Sequence, residues 1–359
     1  MKKNIALLPG DGIGPEIIKV GKKLLDAVAE KYNHEFISKE GLIGAVAIDA
    51  TGNPLPDETL KTCIEADAIL FGAIGHPDYD NNPKARVRPE QGLLKMRKEL
   101  GLFANIRPVT IYPTLIDRSP LKKEIVQNVD FIVIRELTGG IYFGEPRGKT
   151  EDGLKAFDTC VYSKEEIERV AKVGFEYALK RQKKLVMVDK ANVLATSRLW
   201  RETIQEFVIN YPAVKVEYMF VDNAAMQLIQ NPSQFDVILT ENMFGDIITD
   251  EASVLSGSLG LLPSASIGLK TSVFEPIHGS YPQATGKNIA NPLGTVLSAA
   301  MLLDSFYLHK EANSIRNAVN IAVDSDFVTG DISRSKGKST SEVGEFLVEE
   351  VLRNKFVLS

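Results

Sequence analysis

Short apolar runs alternate with amphipathic stretches of helical period from one end of this chain to the other, and that alternation admits little besides an α/β architecture. Residues 4–8 read as a strand. A glycine-rich turn and a helix over about 15–32 follow, with Ile17, Val20, Leu24 and Val28 on one face and Pro15 in its first turn. Further strands are expected over 68–74, 131–135, 185–188, 214–221 and 236–240. Helices are expected over 91–100, from about 196, and over 292–306, 311–324 and 340–352. Ser163 and Glu166 form a capping box, and Ile167, Val170, Ala171, Gly174, Phe175 and Ala178 mark one face of the helix that follows.

A chain of 359 residues is long for one core, so two domains are expected. No repeat or low-complexity linker separates them, which points to domains built from non-consecutive segments. The net charge of -5 gives no support to nucleic-acid binding. No apolar stretch reaches the roughly 20 residues that span a bilayer. The first apolar run breaks at Pro9-Gly10, too soon for a signal peptide, so a cytoplasmic protein is expected. Cys63 and Cys160 lack zinc-site spacing and read as buried packing residues in a reducing compartment.

The segment from Leu8 to Glu16 invites a dinucleotide-fold reading, but Pro15 stands where that fingerprint needs its third glycine. A tight strand-to-helix turn is the plainer reading. Three arginines, Arg97, Arg107 and Arg135, offer forked donors that match carboxylates. Each alone reads equally as a surface or ion-paired residue, although Arg135 ends a strongly apolar strand and is costly there without an anion. Gly139-Gly140 precede Tyr142, as if to let backbone pass close to a ligand while the phenol donates a proton; a hairpin with a core tyrosine is the alternative. Lys190 follows a strand, where α/β ligand clefts form and where desolvation and neighbouring cations favour a base. Asp246 and Asp250 stack one helical turn apart, unfavourably unless a cation binds, and Asp222 after another strand is placed to complete an oxygen-rich site for Mg²⁺ or Mn²⁺. Small and turn-forming residues surround His278, a loop fit to wrap a flat polar ligand, although a lone histidine is more often structural.

Residues 8–16, 136–148, 189–193, 242–251 and 275–292, in this order, resemble the β-decarboxylating dehydrogenases of 2-hydroxy diacids, a family with isopropylmalate, isocitrate, homoisocitrate and tartrate members. The resemblance implies a two-domain, non-Rossmann α/β fold of the isopropylmalate dehydrogenase type. Residues 1–101 and 256–359 would form the cofactor domain, and 102–255 the central substrate and dimerisation domain. It implies that Arg97, Arg107 and Arg135 hold the substrate, with Asp222 beside them, and that Asp222, Asp246 and Asp250 bind the metal. Lys190 and Tyr142 would be the catalytic pair. Lys190 and Asp222 match positions that each site receives from the partner, so a homodimer with shared sites is implied. The cofactor would lie against the loops 76–90 and 279–291, touching His76, Glu90, Glu275, His278, Gly279, Ser280, Gln283 and Asn291.

Glu90, Leu93 and Leu94 stand where this family meets the substrate's third substituent. Two leucines suit an isopropyl group, each buried methylene contributing ~0.8 kcal/mol, and Glu90 would repel a third carboxylate. Isopropylmalate is therefore expected over isocitrate, with ordinary helix core as the alternative for the leucines. Tartrate- and malate-using enzymes, or a non-catalytic regulatory subunit, are the other readings. NAD-using relatives commonly carry an aspartate at the position of Gln283, and a smaller residue at that of Tyr281. Gln283 cannot repel a 2′-phosphate, but the lysine and tyrosine of NADP-using relatives are absent as well, so NAD is expected.

Overall fold

The computed structural model describes residues 1–82 and 85–353, apart from the side chain at position 80. The chain opens with β1 (Lys2–Gly10), α1 (Gly14–Tyr32), β2 (Glu35–Glu40), α2 (Ala45–Thr51), α3 (Asp57–Glu65), β3 (Ala68–Ala73), α4 (Pro77–Asp80) and α5 (Pro89–Glu99). Its middle runs through β4 (Ala104–Thr110), α6 (Lys123–Val126), β5 (Asp130–Glu136), the short strands β6 (Gly148–Lys149) and β7 (Ala156–Phe157), α7 (Lys164–Lys180) and β8 (Lys184–Asp189). Then come α8 (Ala195–Phe207), β9 (Lys215–Phe220), α9 (Val221–Gln230), β10 (Val237–Thr240) and α10 (Asn242–Ser253). It closes with β11 (Pro263–Ile267), β12 (Ser272–Pro276), α11 (Leu293–Ser305), α12 (His309–Asp324) and α13 (Thr340–Arg353).

Two compact units result: a terminal unit of Met1–Leu100 with the chain from Ser258 on, and a central unit of Gly101–Gly257. In the terminal unit the strand order is β2-β1-β3-β12-β11. All neighbours there are parallel except β11, which runs antiparallel to β12. Buried Ile17, Leu24 and Val28 fix the inner face of α1, and Asn33 ends it in a left-handed cap. Helix α11 is buried almost all round, packed among α1, α12, β11 and β12.

In the central unit the order is β4-β5-β10-β8-β9, with β4 antiparallel to β5 and the rest parallel. Its core holds Phe131 and Phe235, edge-on with centroids 5.9 Å apart, among Val133, Val186, Ile238 and Ile248. Each such side chain contributes ~1.5–3 kcal/mol by burial. The Ser163 capping box opens α7 with both of its reciprocal hydrogen bonds formed. Trp200 of α8 is wholly buried and stands edge-on to Tyr162, centroids 5.4 Å apart.

One expectation fails here. Cys63 is buried, and burial pushes its thiol up to about 12, but Cys160 is only partly covered. It lies on the irregular stretch before α7, 3.9 Å from the Thr196 hydroxyl in the first turn of α8, and not on the buried face of a strand or helix of its own. No described helix is long and apolar enough to cross a membrane.

Candidate active site

The parallel strands deliver functional side chains at their C-terminal ends, where open α/β sheets form ligand clefts. In the central unit Arg135 is the penultimate residue of β5, 3% exposed. Its Nε donates to the Asn242 carbonyl at 2.9 Å, its NH2 donates to Asn242 Oδ1 at 2.8 Å, and its NH1 donates to Asp246 Oδ1. The other oxygen of Asp246 accepts the Tyr142 hydroxyl at 2.9 Å, and the Arg135 guanidinium lies 5.9 Å from the Tyr142 ring centroid. Burial, and then the Asp246 carboxylate, raise the Tyr142 phenol above its ordinary value, so it keeps its proton at neutral pH. Arg107 reaches the same helix from β4, donating to Thr249 at 2.7 Å and to Asp250 at 3.3 Å, while Asn105 accepts from its Nε. The antiparallel register explains the convergence: Arg135 opposes Asn105, so Arg107 is its diagonal neighbour on one face of the β4–β5 pair. Arg107, Arg135, Tyr142, Asp246 and Asp250 therefore form one cluster on α10.

Lys190 and Asp222 form a separate pair, Nζ to Oδ1 at 2.7 Å, and the ammonium holds the Asp222 carboxyl below the usual carboxylate range. The three aspartates expected to share a metal do not meet within one chain. No group of three metal-capable side chains forms among the described residues. The topology gives the reason: Asp222 follows β9, two strands from β10, which feeds the helix of Asp246 and Asp250. That is roughly 10 Å of sheet. Asp189, just before Lys190, is 1% exposed and takes a bidentate hydrogen bond from Arg201, both contacts 2.8 Å, which fixes the backbone that presents the lysine.

The Gly139-Gly140 pair serves a different purpose from the one expected. A methyl group added at Gly139 would stand 2.6 Å from the Tyr162 ring, and one at Gly140, where φ is +73°, 2.3 Å from its hydroxyl. The glycines admit an internal tyrosine. That tyrosine accepts the Asn242 N–H at 3.0 Å, and Asn242 in turn donates to the Gly139 carbonyl at 3.2 Å, tying the turn before Tyr142 to the start of α10. Glu136 is fully buried and accepts the Thr138 and Gly139 N–H groups at 2.6 and 2.9 Å. Neither Tyr162 nor Arg201 carries a sequence signal beyond its residue type, and Asn242 stands out only as the first residue of the motif 242–251.

In the terminal unit three loops meet beyond β1, β3 and β12. A methyl group at Gly12, φ +60°, would lie 2.0 Å from the Ser280 carbonyl, which accepts the Ile13 N–H at 2.9 Å. The glycines after β1 thus bring two loops together, in keeping with a turn and not with a dinucleotide fingerprint. Asp11, 1% exposed, accepts from the amides of Ala45 at 2.9 Å, Val46 at 3.0 Å and Gly75 at 2.9 Å, joining this turn to α2 and to the loop after β3. A methyl at Gly75 would be 3.2 Å from Glu90 Oε1 and 3.6 Å from Ser280 Oγ, so Glu90 and Ser280 converge there. His76 caps α4, its Nδ1 accepting from the Asp78 amide at 3.3 Å. Residues 83 and 84 of the expected cofactor loop lie outside the described residues.

Arg97 faces Glu275 across 3.6 Å, and its Nε is buried with no acceptor among the described residues. Leu93 is half-buried and Leu94 is 41% exposed, so neither belongs to the helix core. His278 and Gly279 line a cavity with Asn291, and Gln283 is exposed on the same loop. His278 is held below its ordinary value by burial, and its Nε2 is buried without a partner among the described residues.

The sequence profile of the isocitrate/isopropylmalate dehydrogenases matches residues 4–347. The chain is 56% identical over 353 residues to the 3-isopropylmalate dehydrogenase of Bacteroides fragilis, covering 98% of this chain and 99% of that one. With the 3-isopropylmalate dehydrogenase of Bacillus subtilis it shares 54% identity over 356 residues, 98% of this chain and 96% of that one. Among solved structures, isocitrate dehydrogenase from Methylococcus capsulatus matches with a TM-score of 0.87 at 31% identity, covering 98% of this chain and 100% of the other. A β-decarboxylating dehydrogenase from Thermococcus kodakarensis matches with a TM-score of 0.79 at 34% identity, covering 97% and 96%.

Proposed function

The chain belongs to the isocitrate/isopropylmalate dehydrogenase family, and from that membership we propose that it oxidises (2R,3S)-3-isopropylmalate with NAD. Loss of the β-carboxylate as CO₂ from 2-isopropyl-3-oxosuccinate leaves 2-oxo-4-methylpentanoate, a step of leucine biosynthesis. The observation that carries the chemistry is the hydrogen-bonded unit of Arg135, Tyr142 and Asp246 on α10. It joins an anion clamp, a protonated phenol and a hard oxygen donor. The choice of substrate rests on the names of the relatives and on two leucines that project off the core of α5.

Arg107 and Arg135 bind the substrate carboxylates, exchanging their present partners Asp250 and Asp246 for the ligand. Arg97 is assigned to the same substrate, and its unpaired Nε fits a site completed by an anion. Leu93 and Leu94 meet the isopropyl group. Lys190 takes the proton from the C2 hydroxyl, and Tyr142 returns one to C3 after CO₂ leaves. The donor set of Asp246 and Asp250, all carboxylate oxygen with no histidine or cysteine, fits Mg²⁺ or Mn²⁺. When bound, the metal supplies Lewis-acid stabilisation of the oxygen at C2, and NAD supplies the hydride acceptor. Asp222 completes the metal set from a partner subunit, together with Lys190. The exposed Met226 and Ile229 of α9 and Ile247 of α10 support such a homodimer.

The test is formation of reduced nicotinamide by the purified protein with Mg²⁺ and NAD, comparing 3-isopropylmalate with isocitrate, malate and tartrate. Strong preference for 3-isopropylmalate is expected. Preference for another diacid would overturn the role given to Leu93 and Leu94, and no turnover of any by folded protein would overturn the enzymatic reading.

A further inference from the structure

The chain leaves β5 through a turn that presents the Tyr142 phenol shortly after Thr138. The Glu136 carboxyl, which accepts the amides of Thr138 and Gly139, also accepts the Thr138 hydroxyl at 2.9 Å. A hydroxyl that donates once still has lone pairs to offer. Here it accepts from the Arg169 guanidinium at 3.2 Å. Arg169 stands in the second turn of α7, beside the wholly buried Ile167 and Val170.

The same guanidinium lies over the Phe103 ring, 4.7 Å from its centroid. Phe103 directly precedes β4, and its carbonyl accepts the Leu137 N–H at 3.0 Å. One cation thus touches the chain just before β4 and just after β5, the strands that carry Arg107 and Arg135. It forms no ion pair among the described residues, and its Nε is buried there without an acceptor. An arginine that meets a hydroxyl and a ring, and no carboxylate, adds little to stability, but its rigid planar fork is suited to fixing geometry. Gly139 and Gly140 have no side chains with which to steady the turn. Beyond Tyr142, Arg147 donates to the Tyr142 carbonyl at 2.8 Å and holds the exit. The entry is held at Thr138.

We propose that Arg169 is a positioning residue for Tyr142: by holding the Thr138 hydroxyl against Glu136, it fixes the entry of the turn and, through it, the place of the phenol beside Asp246. The donors run one way, from guanidinium to hydroxyl to carboxyl, and each strengthens the next. Arg169 itself touches neither the phenol nor the carboxylate of Asp246. The assignment rests on the proton-donor role given to Tyr142 above.

Arg169→Gln and Thr138→Val break the contact from its two sides, and both are measured singly and combined. With 3-isopropylmalate, Mg²⁺ and NAD, the readout is the share of oxidised substrate released as β-keto acid before decarboxylation, beside kcat and KM; urea unfolding is followed in parallel. Each single variant is expected to release more β-keto acid and to form the decarboxylated product about tenfold more slowly, with KM little changed, as for a misplaced catalytic group. The double variant should be no worse than Thr138→Val alone, because both substitutions remove one contact. A variant that unfolds in less urea yet divides its products as the unsubstituted protein does overturns the proposal, and so do losses that add in the double variant. If Arg169→Gln does not fold, Thr138→Val decides by the same division of products. If the unsubstituted protein oxidises no diacid, the dehydrogenase reading fails first, and the role of Arg169 with it.

Discussion

Replacing Glu241 with glutamine should make the protein more stable above neutral pH and leave it nearly unchanged in mild acid. Glu241 is 3% exposed, directly before α10, with its Oε2 buried and unpartnered among the described residues. Burial first, and then the charges of Glu136 and Asp189, push its carboxyl from 4.5 up to about 7. The sign follows from proton linkage. Below pH 4.5 the group is protonated in both folded and unfolded chains and costs nothing. Between about 4.5 and 7 the unfolded chain gives up the proton while the folded chain keeps it, so stability falls as pH rises. Above 7 the loss is complete, at ~3 kcal/mol from about 1.4 kcal/mol per pH unit of difference. Glutamine removes the titration and the charge. At pH 8 the variant should therefore gain about 1–3 kcal/mol, or several degrees in Tm for a protein of this size. The assay is thermal unfolding of both proteins from pH 5 to pH 8.5 at one fixed concentration, since assembly makes Tm concentration-dependent. Curves that diverge with rising pH are expected. Parallel curves, or a variant less stable at pH 8, would refute the claim that Glu241 is a buried acid held in a like-charged pocket.

Three further outcomes can be checked. Tyr142→Phe should slow decarboxylation more than oxidation, so that the β-keto acid is released and detected by mass spectrometry; full coupling at the normal rate would remove the phenol from the proton transfer. Gln283→Asp should lower kcat/KM with NADP relative to NAD by about tenfold, through repulsion of the 2′-phosphate worth ~1.4 kcal/mol, and an unchanged ratio would place Gln283 away from the ribose. Gly140→Ala, at φ +73° and 2.3 Å from the Tyr162 hydroxyl, should cost at least about 2 kcal/mol in urea unfolding, and a smaller loss would mean that Tyr162 is free to shift.

Much of the architecture was legible because apolar runs are forced into strands. The runs at β1, β3, β5, β8, β9 and β10 were all found, with ends displaced by a residue or two. The polar strand β2 (Glu35–Glu40) and β4, interrupted by Arg107 and Pro108, were not, since neither shows the apolar alternation that marks a half-buried strand. At the site, the spacing of Asp246 and Asp250 could be read because helical period is local. The exchange of partners among Arg135, Asn242 and Tyr162 could not be read, because it depends on which strands become neighbours. The glycine pair before Tyr142 misled for the same reason: close approach was legible, but the approaching group lies about twenty residues further along the chain.

The carboxylate of Asp11 has a consequence for motion. One buried side chain accepts the amides of Ala45, Val46 and Gly75, so the first turn of α2 and the loop after β3 hang from a single anchor. Neither can open to solvent without breaking bonds to the acceptor that the other uses. In native-state hydrogen exchange these three amides should behave as one cooperative unit, with a common opening free energy, although some thirty residues separate the first from the last. A cofactor held by the loop after β3 would then slow exchange in α2 as well, and protection at Ala45 and Val46 would report on events in a loop to which they are not chain neighbours.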